Sequence, residues 1–435
     1  MGPPFLRIAA IACGWLAGAA VATAADDLTL AWGQALAASA QLAAANLDAV
    51  AAQLDADAVA ATRGPSASVR AGYELRSDER SFLIDNPFAA GTISSPYRQR
   101  DAALSTARVS APLYTSGRIA NAIDSASASA DACSADAATA RLDLLMAVTE
   151  AYISVLRAQR AAAVAQEQLR SLEAHANDAA QRLEQQHISQ ADYLAALAAV
   201  AGAQQVRAAR LLDLASARGE YNRLTGRPLA APVCLLELSV PPLPGDLPEL
   251  QQLAIARRPE LASLAASAAG RAFAADAARA ESRPQILAEG RCDYEENRYQ
   301  SPQAVASAGI LLDWSLYDGG QSRRRAAAEA SRAASLRRLA DDLRSRILLQ
   351  VQDQYNAEQT ALQRLESAGQ SLAHTAESLR VSRLRFANGL AVGAEVRDAV
   401  ARDAAANQTY YDAGYDLAAA RMRLRRAVGL LGTAQ

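Results

Sequence analysis

The sequence predicts a mixed, mostly helical fold in which one unit is written twice. Three observations lead there: residues recur at a fixed spacing, proline is missing from two long runs, and four runs of about ten residues alternate apolar with polar. Tyr114 and Tyr317 are 203 residues apart, and so are Gly117 and Gly320, Val148 and Val351, Tyr152 and Tyr355, Arg182 and Arg385, and Gly226 and Gly429. Upstream the offset becomes 219, carrying "SAQLAA" at 39–44 onto "RPELAS" at 258–263 and Pro65 onto Pro284. The change means 16 extra residues in the first copy between Arg76 and Arg108, including the loop-like "SDERSFLIDNPFAAGTISSPY". The expected organisation is a signal segment at 1–25, a first repeat at 26–226, a Pro-rich connector at 227–248 and a second repeat at 249–435. Each repeat reads helix, strand, loop, strand, long helical hairpin.

The signal reading rests on Arg7, the apolar core "IAAIACGWLAGAAVA" and the small residues "ATA" at 22–24. Cys13 follows "AIA", a loose lipidation pattern, but its apolar lead is short. The chain is close to charge balance, with 44 basic and 46 acidic residues, so nothing points to nucleic acid. Every basic residue is Arg; the missing Lys removes P-loop, Schiff-base and lysine-general-base chemistry. The remaining cysteines (Cys133, Cys234, Cys292) and the three histidines are too scattered for a disulfide framework, a metal site or a catalytic constellation. No cofactor, metal or catalytic residue is expected.

The hairpins follow from composition. No proline occurs between Leu113 and Arg227, or from Gln303 to the end, and both runs are rich in strong helix formers. Leu145, Val148, Tyr152 and Val155 form an i+3/i+4 ladder, and Leu348, Val351, Tyr355, Glu358, Leu362 and Leu365 form its counterpart. A helix from Arg118 to Gln186 would be about 100 Å long at 1.5 Å per residue, a length suited to a tube or fibre.

The strands have two faces. Ala67, Val69, Ala71, Tyr73 and Leu75 oppose Ser66, Ser68, Arg70, Gly72 and Glu74; Ile286, Ala288, Cys292 and Tyr294 repeat the pattern. Ala103, Ala107, Val109 and Leu113 form the second strand's apolar face, repeated by Ala306, Ile310, Leu312, Trp314 and Leu316. A half-buried soluble sheet and a membrane barrel both fit such alternation. The export signal favours the barrel, yet four strands cannot close around water and open edges cannot face lipid, so several chains must pool strands. "PLYTSGRIANA" and "SLYDGGQSRRR" mark where strand turns into helix, with Gly117, Gly319 and Gly320 supplying the bend and Ser116 or Asp318 capping the helix.

With "LDWSLYDGGQSRRRAA" at 312–327, "RRPEL" at 257–261 and "RFANGLAVGAEVRDA" at 385–399, the whole mature chain resembles the TolC-like outer-membrane efflux and secretion channels. The resemblance implies a homotrimer in the outer membrane with a long periplasmic extension. Three protomers would give four strands each to a twelve-stranded barrel, with a periplasmic adaptor docked at the helical tips and an inner-membrane pump of RND or ABC type behind it. It puts docking at the hairpin turns, on Gly389 and Leu390 and, in the first copy, Ile188 and Ser189; the other reading is that these residues only form tight turns. It also makes Glu395, Asp398 and the equivalent Asp192 candidates for a carboxylate ring at the periplasmic aperture, against the plainer reading of a solvated helix face. The first copy departs from the family turn, having Gln186 where Gly is usual. The aromatic hydroxyl and Arg of the family's closing locks are replaced by Phe386 and Ala391, leaving Arg385 or Arg397 as possible partners of Asp192. The rival class is a trimeric coiled-coil adhesive or structural surface protein, which leaves the two-faced strands unexplained.

Overall fold

The computed structural model describes residues 26–88 and 90–432; the expected signal segment and Cys13 lie outside them. The first repeat runs α1 (Leu28–Ala38), α2 (Ala40–Ala61), β1 (Ser66–Leu75), β2 (Arg80–Asp85), β3 (Thr92–Arg98), β4 (Asp101–Tyr114), α3 (Arg118–Glu184) and α4 (Gln190–Thr225). The second runs α5 (Leu247–Arg257), α6 (Pro259–Ala280), β5 (Gln285–Glu295), β6 (Ala304–Asp313), α7 (Gln321–Ala387) and α8 (Gly393–Val428). Helix limits repeat at the two sequence offsets, 219 for α1 and α2 and 203 for α3 and α4. The long helices α3 and α7 each have 67 residues, about 100 Å.

The stretch read as a loop in the first copy is instead a β-hairpin, β2 paired with β3. Its Phe82 and Tyr97 rings stack 4.2 Å apart across the ladder. Pro96 stands in the short strand β3 of this two-stranded ribbon, where a missing N–H is tolerated. The hairpin is held to the second repeat by Arg98, which donates to both carboxylate oxygens of Glu295, and by Asn297 Nδ2, which donates to the Tyr97 carbonyl at 2.9 Å.

The main sheet has order β1-β4-β5-β6, all antiparallel. The register keeps the predicted faces together: Val69 opposes Ala107, Ala107 opposes Cys292, and Cys292 opposes Ala306. On the other face Ser68, Arg108, Arg291 and Ser307 line up. Trp314 and Leu316, expected on the last strand, lie beyond it.

Each of the four strands runs into its own helix, and the helices keep the strand order: α2 packs on α3, α3 on α6, and α6 on α7. Further along the rods the order becomes α4, α3, α8, α7. A core gathers where the two zones meet. Leu145, Val148, Tyr152 and Val155 are all buried there among α1, α4, α8 and the connector. The Tyr152 hydroxyl lies within hydrogen-bond distance of the Asp26 and Leu236 carbonyls, and Trp32 Nε1 donates to Leu145 and Thr149. The Pro-rich connector is bound across the rods, with Val233 and Val240 buried and Arg421 donating to the Val240 carbonyl at 2.6 Å.

Candidate functional site: a two-faced sheet and a helical tip

The sheet presents its apolar face unburied. Val69, Tyr73, Leu75, Ile310 and Leu312 are each more than half exposed, an arrangement that water disfavours and hydrocarbon suits. The opposite face carries a hydrogen-bonded polar network. Arg108 pairs with Glu289 at 2.9 Å, Arg291 with Asp293 at 2.7 Å, and Thr106 donates to Asp293 at 2.8 Å. The outer edges of β1 and β6 have no partner strand among the described residues. No single helix among the described residues is long and apolar enough to cross a membrane.

Both strand–helix joints use left-handed backbone. Gly117 and Gly320 are the N-caps of α3 and α7, at φ 87° and 78°. The positions before them are Ser116, at φ 52°, and Gly319, at φ 65°. Asp318 caps α7 as expected: its carboxylate accepts from the Gly320 and Ser322 amides at 2.8 Å. The Ser322 hydroxyl, and then these amides, hold its pKa down to about 2. Ser116 does not cap α3. Its hydroxyl donates to the Pro284 carbonyl, and the residue equivalent to Asp318 is Thr115, which accepts from the Ile119 amide at 3.4 Å. Ser116 takes the Gly319 backbone, so its side chain points to the second repeat rather than the helix end.

At the far end the two turns have one geometry. The His187 amide donates to Arg182 and the Leu390 amide to Arg385, each at 2.8 Å, the closing bond of a Schellman turn. Gly389 supplies the positive φ of 73° in the second turn, while Gln186 adopts 59° in the first. The missing glycine therefore leaves the turn's backbone unchanged. Leu390 is exposed, whereas Ile188 packs against the small cluster of Ala176, Ala179 and Ala196.

The three carboxylates occupy different settings. Asp192 belongs to the α4 cap: its amide donates to the Ser189 hydroxyl at 3.1 Å and its carboxylate accepts from that hydroxyl at 2.7 Å. Glu395 lies 3.5 Å from Arg385, which also donates to the Leu390 carbonyl. Asp398 is exposed one helical turn further along α8. Within the protomer neither Arg385 nor Arg397 pairs with Asp192.

A contact not foreseen from sequence ties the hairpins together. Phe386 on α7 is buried between His175 and Arg182 of α3, its ring 5.0 Å from the imidazole and 4.4 Å from the guanidinium carbon. Arg182 also donates to the Ala387 carbonyl at 2.9 Å. These side chains edge a cleft of about 1140 Å³ between α3 and α7. Burial lowers the His175 pKa, and the nearby Arg397 lowers it further; Asp178 opposes this, and Arg182 and Arg383 add to the lowering. The seven-residue step from His175 to Arg182, two helical turns, was the available signal.

A sheet wet on one face and greasy on the other, continued by rods about 100 Å long, has the build of a wall segment of a transmembrane duct. The chain belongs to the outer membrane efflux protein family, whose sequence pattern matches residues 31–227 and 250–430, and the family places it in the outer membrane. It is 27% identical over 302 residues to the alkaline protease secretion protein AprF of Pseudomonas aeruginosa, a match spanning 67% of this chain and 62% of that protein. The fold matches a membrane protein from Pseudomonas aeruginosa with TM-score 0.78 at 22% identity, covering 92% of this chain and 93% of the other. It matches the open-state MtrE channel of Neisseria gonorrhoeae with TM-score 0.75 at 17% identity, covering 94% and 90%. The family is one of efflux proteins, and the MtrE neighbour is an outer-membrane channel.

Proposed function

We propose that the protein is a passive exit duct for efflux or type I secretion, formed when three copies pool their strands into one twelve-stranded barrel. The observation that carries this is the sheet with two chemically opposite faces and both outer edges unpaired. A lone sheet of this kind is unstable in water and in lipid alike; shared closure buries the edges and gives the polar face a water-filled lumen. The helices prolong that lumen through the periplasm. A periplasmic adaptor docks at the tips, on Leu390 and the turns formed by Gly389, Ile188 and Ser189, and an inner-membrane pump of RND or ABC type supplies the energy. Glu395 and Asp398, with Asp192, bias the aperture toward cations by placing negative charge where the wall narrows. Similarity to a secretion protein supports polypeptide cargo, and similarity to efflux channels supports small solutes.

Planar-bilayer recording on detergent-extracted protein tests the duct: a trimer that conducts ions is expected. A trimer that inserts without conducting supports the adhesive surface protein, and a monomer stable in buffer without detergent overturns both. Glu395→Gln with Asp398→Asn should reduce cation preference or raise conductance; if neither changes, these carboxylates do not line the aperture. Complementation of a strain lacking its own duct, scored for drug resistance and for protease export, separates the cargoes.

A further inference from the structure

The two ends of the main sheet differ in charge. All four strand–helix joints lie along one rim, because the register sets Ser66 beside Ser110, Tyr114 beside Ile286 and Gln285 beside Asp313. The joints are also tied to each other. The Ser116 hydroxyl donates to the Pro284 carbonyl, Arg118 Nε to Gln285 Oε1, and Trp314 Nε1 to the Ser282 carbonyl. Every joint carries arginine: Arg63 between α2 and β1, Arg118 at the start of α3, Arg283 between α6 and β5, and Arg323, Arg324 and Arg325 at the start of α7. The acids at that level are already engaged or lie on the wet face. Asp318 accepts from the Gly320 and Ser322 amides, Glu281 lies 3.5 Å from Arg325, and Asp313 alternates with the greasy Leu312. Arg63, Arg283, Arg323 and Arg324 are exposed and form no ion pair among the described residues. At the opposite rim Arg76, Arg98 and Arg298 are all paired, with Glu74, Glu295 and Glu79.

We propose, on the reading of the sheet as a membrane wall, that the helix-side rim is a collar for anionic phospholipids of the leaflet it meets. The greasy face ends at this rim. Leu113, Tyr114, Trp314, Leu316 and Tyr317 are each more than half exposed there. The Trp314 ring stays open while its N–H is bonded, the arrangement that suits an indole where acyl chains give way to head groups. The arginines lie just beyond, at the depth of the phosphates. A guanidinium presents paired N–H groups that match phosphate oxygens. At about 100° per residue, Arg323, Arg324 and Arg325 fan over about 200° of the helix, away from the buried Ser322 and Ala326. That spread brings an arginine to the lipid side of the rod. The excess of unpaired positive charge selects lipids with net negative head groups, phosphatidylglycerol being the type, over zwitterionic ones. Held by its head groups, the collar fixes how deep the sheet sits and keeps the rods clear of the bilayer.

Trp314 is a built-in reporter, because brominated acyl chains quench a tryptophan they touch. Trp32 is bonded to the Leu145 carbonyl, about 40 Å along α3 from the joint, and stays out of their reach. The protein, carrying Trp15→Phe, is reconstituted in phosphatidylcholine bilayers with rising shares of brominated phosphatidylglycerol or brominated phosphatidylcholine. At low salt, phosphatidylglycerol should occupy the site beside Trp314 about fivefold more readily. High salt should shrink that preference. Arg283→Gln with Arg323→Gln and Arg324→Gln should abolish it, and Lys at the same three positions should keep it. Arg283→Gln alone leaves α7 untouched and should lower it to about twofold. Equal quenching by both lipids in a trimer that conducts ions overturns the collar and leaves the duct standing. So does a preference that survives the triple Gln variant. No quenching by either lipid removes the membrane reading itself. Inorganic phosphate should weaken the preference no more than sodium chloride of equal ionic strength; a larger effect would mean a site for free phosphate and not for lipid.

Discussion

The two hairpins share lengths, joints and turn geometry yet are built from different side chains. Helix α3 lies in the middle of the protomer, packed by α2, α4, α6 and α8, while α7, among the described residues, has neighbours only on one flank. Tyr152 is accordingly sealed and hydrogen-bonded, and its repeat partner Tyr355 is half-buried. The second hairpin keeps Gly389 at its turn, where the first makes do with Gln186. The first has the Ser189 cap, where Val392 caps α8 without a side-chain bond. Backbone architecture was retained through duplication, and local chemistry drifted according to which neighbour each rod meets.

The comparison can be broken most forcefully at its centre. Tyr152→Ala should cost about 3–5 kcal/mol, as expected for a large buried aromatic, and Tyr355→Ala less than half of that. Unfolding midpoints followed by circular dichroism in detergent provide the check, and equal losses would mean that assembly buries α7 as deeply as α3. At the turns, Gly389→Ala should destabilise by about 1–2 kcal/mol, the cost of a left-handed non-glycine residue. No neighbouring atom opposes an added Cβ there, so the loss is purely conformational. Gln186→Gly should stabilise the first turn by up to about 1 kcal/mol, read as increased amide-exchange protection of 183–190. Ser189→Ala should cost about 1 kcal/mol by removing a cap, and Val392→Ser should return a similar gain on α8.

The smallest effect at neutral pH comes from His175. Its folded pKa lies below the ordinary value of 6.5, so the neutral form belongs to the packed tip and the unfolded chain takes up the proton first. Stability is therefore full above about pH 6.5 and falls as pH drops toward the lowered folded value. His175→Gln should behave as the parent protein at pH 7.5 and lose less tip protection at pH 5.5, measured by hydrogen exchange across 171–190. Equal losses in both proteins would assign the pH response to another group.

Much of this was legible in sequence because duplication writes a structure twice. The 203 offset, the proline-free runs and the DGG joint located every long helix, and period-two alternation located all four strands of the main sheet. The β2–β3 hairpin was not legible, since Pro87 and Pro96 with Gly91 read as loop and the pairing depends on Phe82 and Tyr97 meeting. The cap of α3 is Thr115 rather than the expected Ser116, and the offset aligns Thr115 with Asp318. The seven-residue step puts His175 and Arg182 on one face of α3, but Phe386 lies about 200 positions away, and no local pattern says that it comes between them.

The left-handed joints have a mechanical corollary. Each rod leaves the sheet through one left-handed joint, at Ser116–Gly117 or Gly319–Gly320, and reaches about 100 Å beyond it without a proline break. A swing of about one degree at the pivot would displace the far end by nearly 2 Å, about half of one heavy-atom contact distance. In the proposed duct, a lever of that ratio would let a force applied at the far end dilate the aperture while the hydrogen-bonded ladder of the sheet scarcely moves.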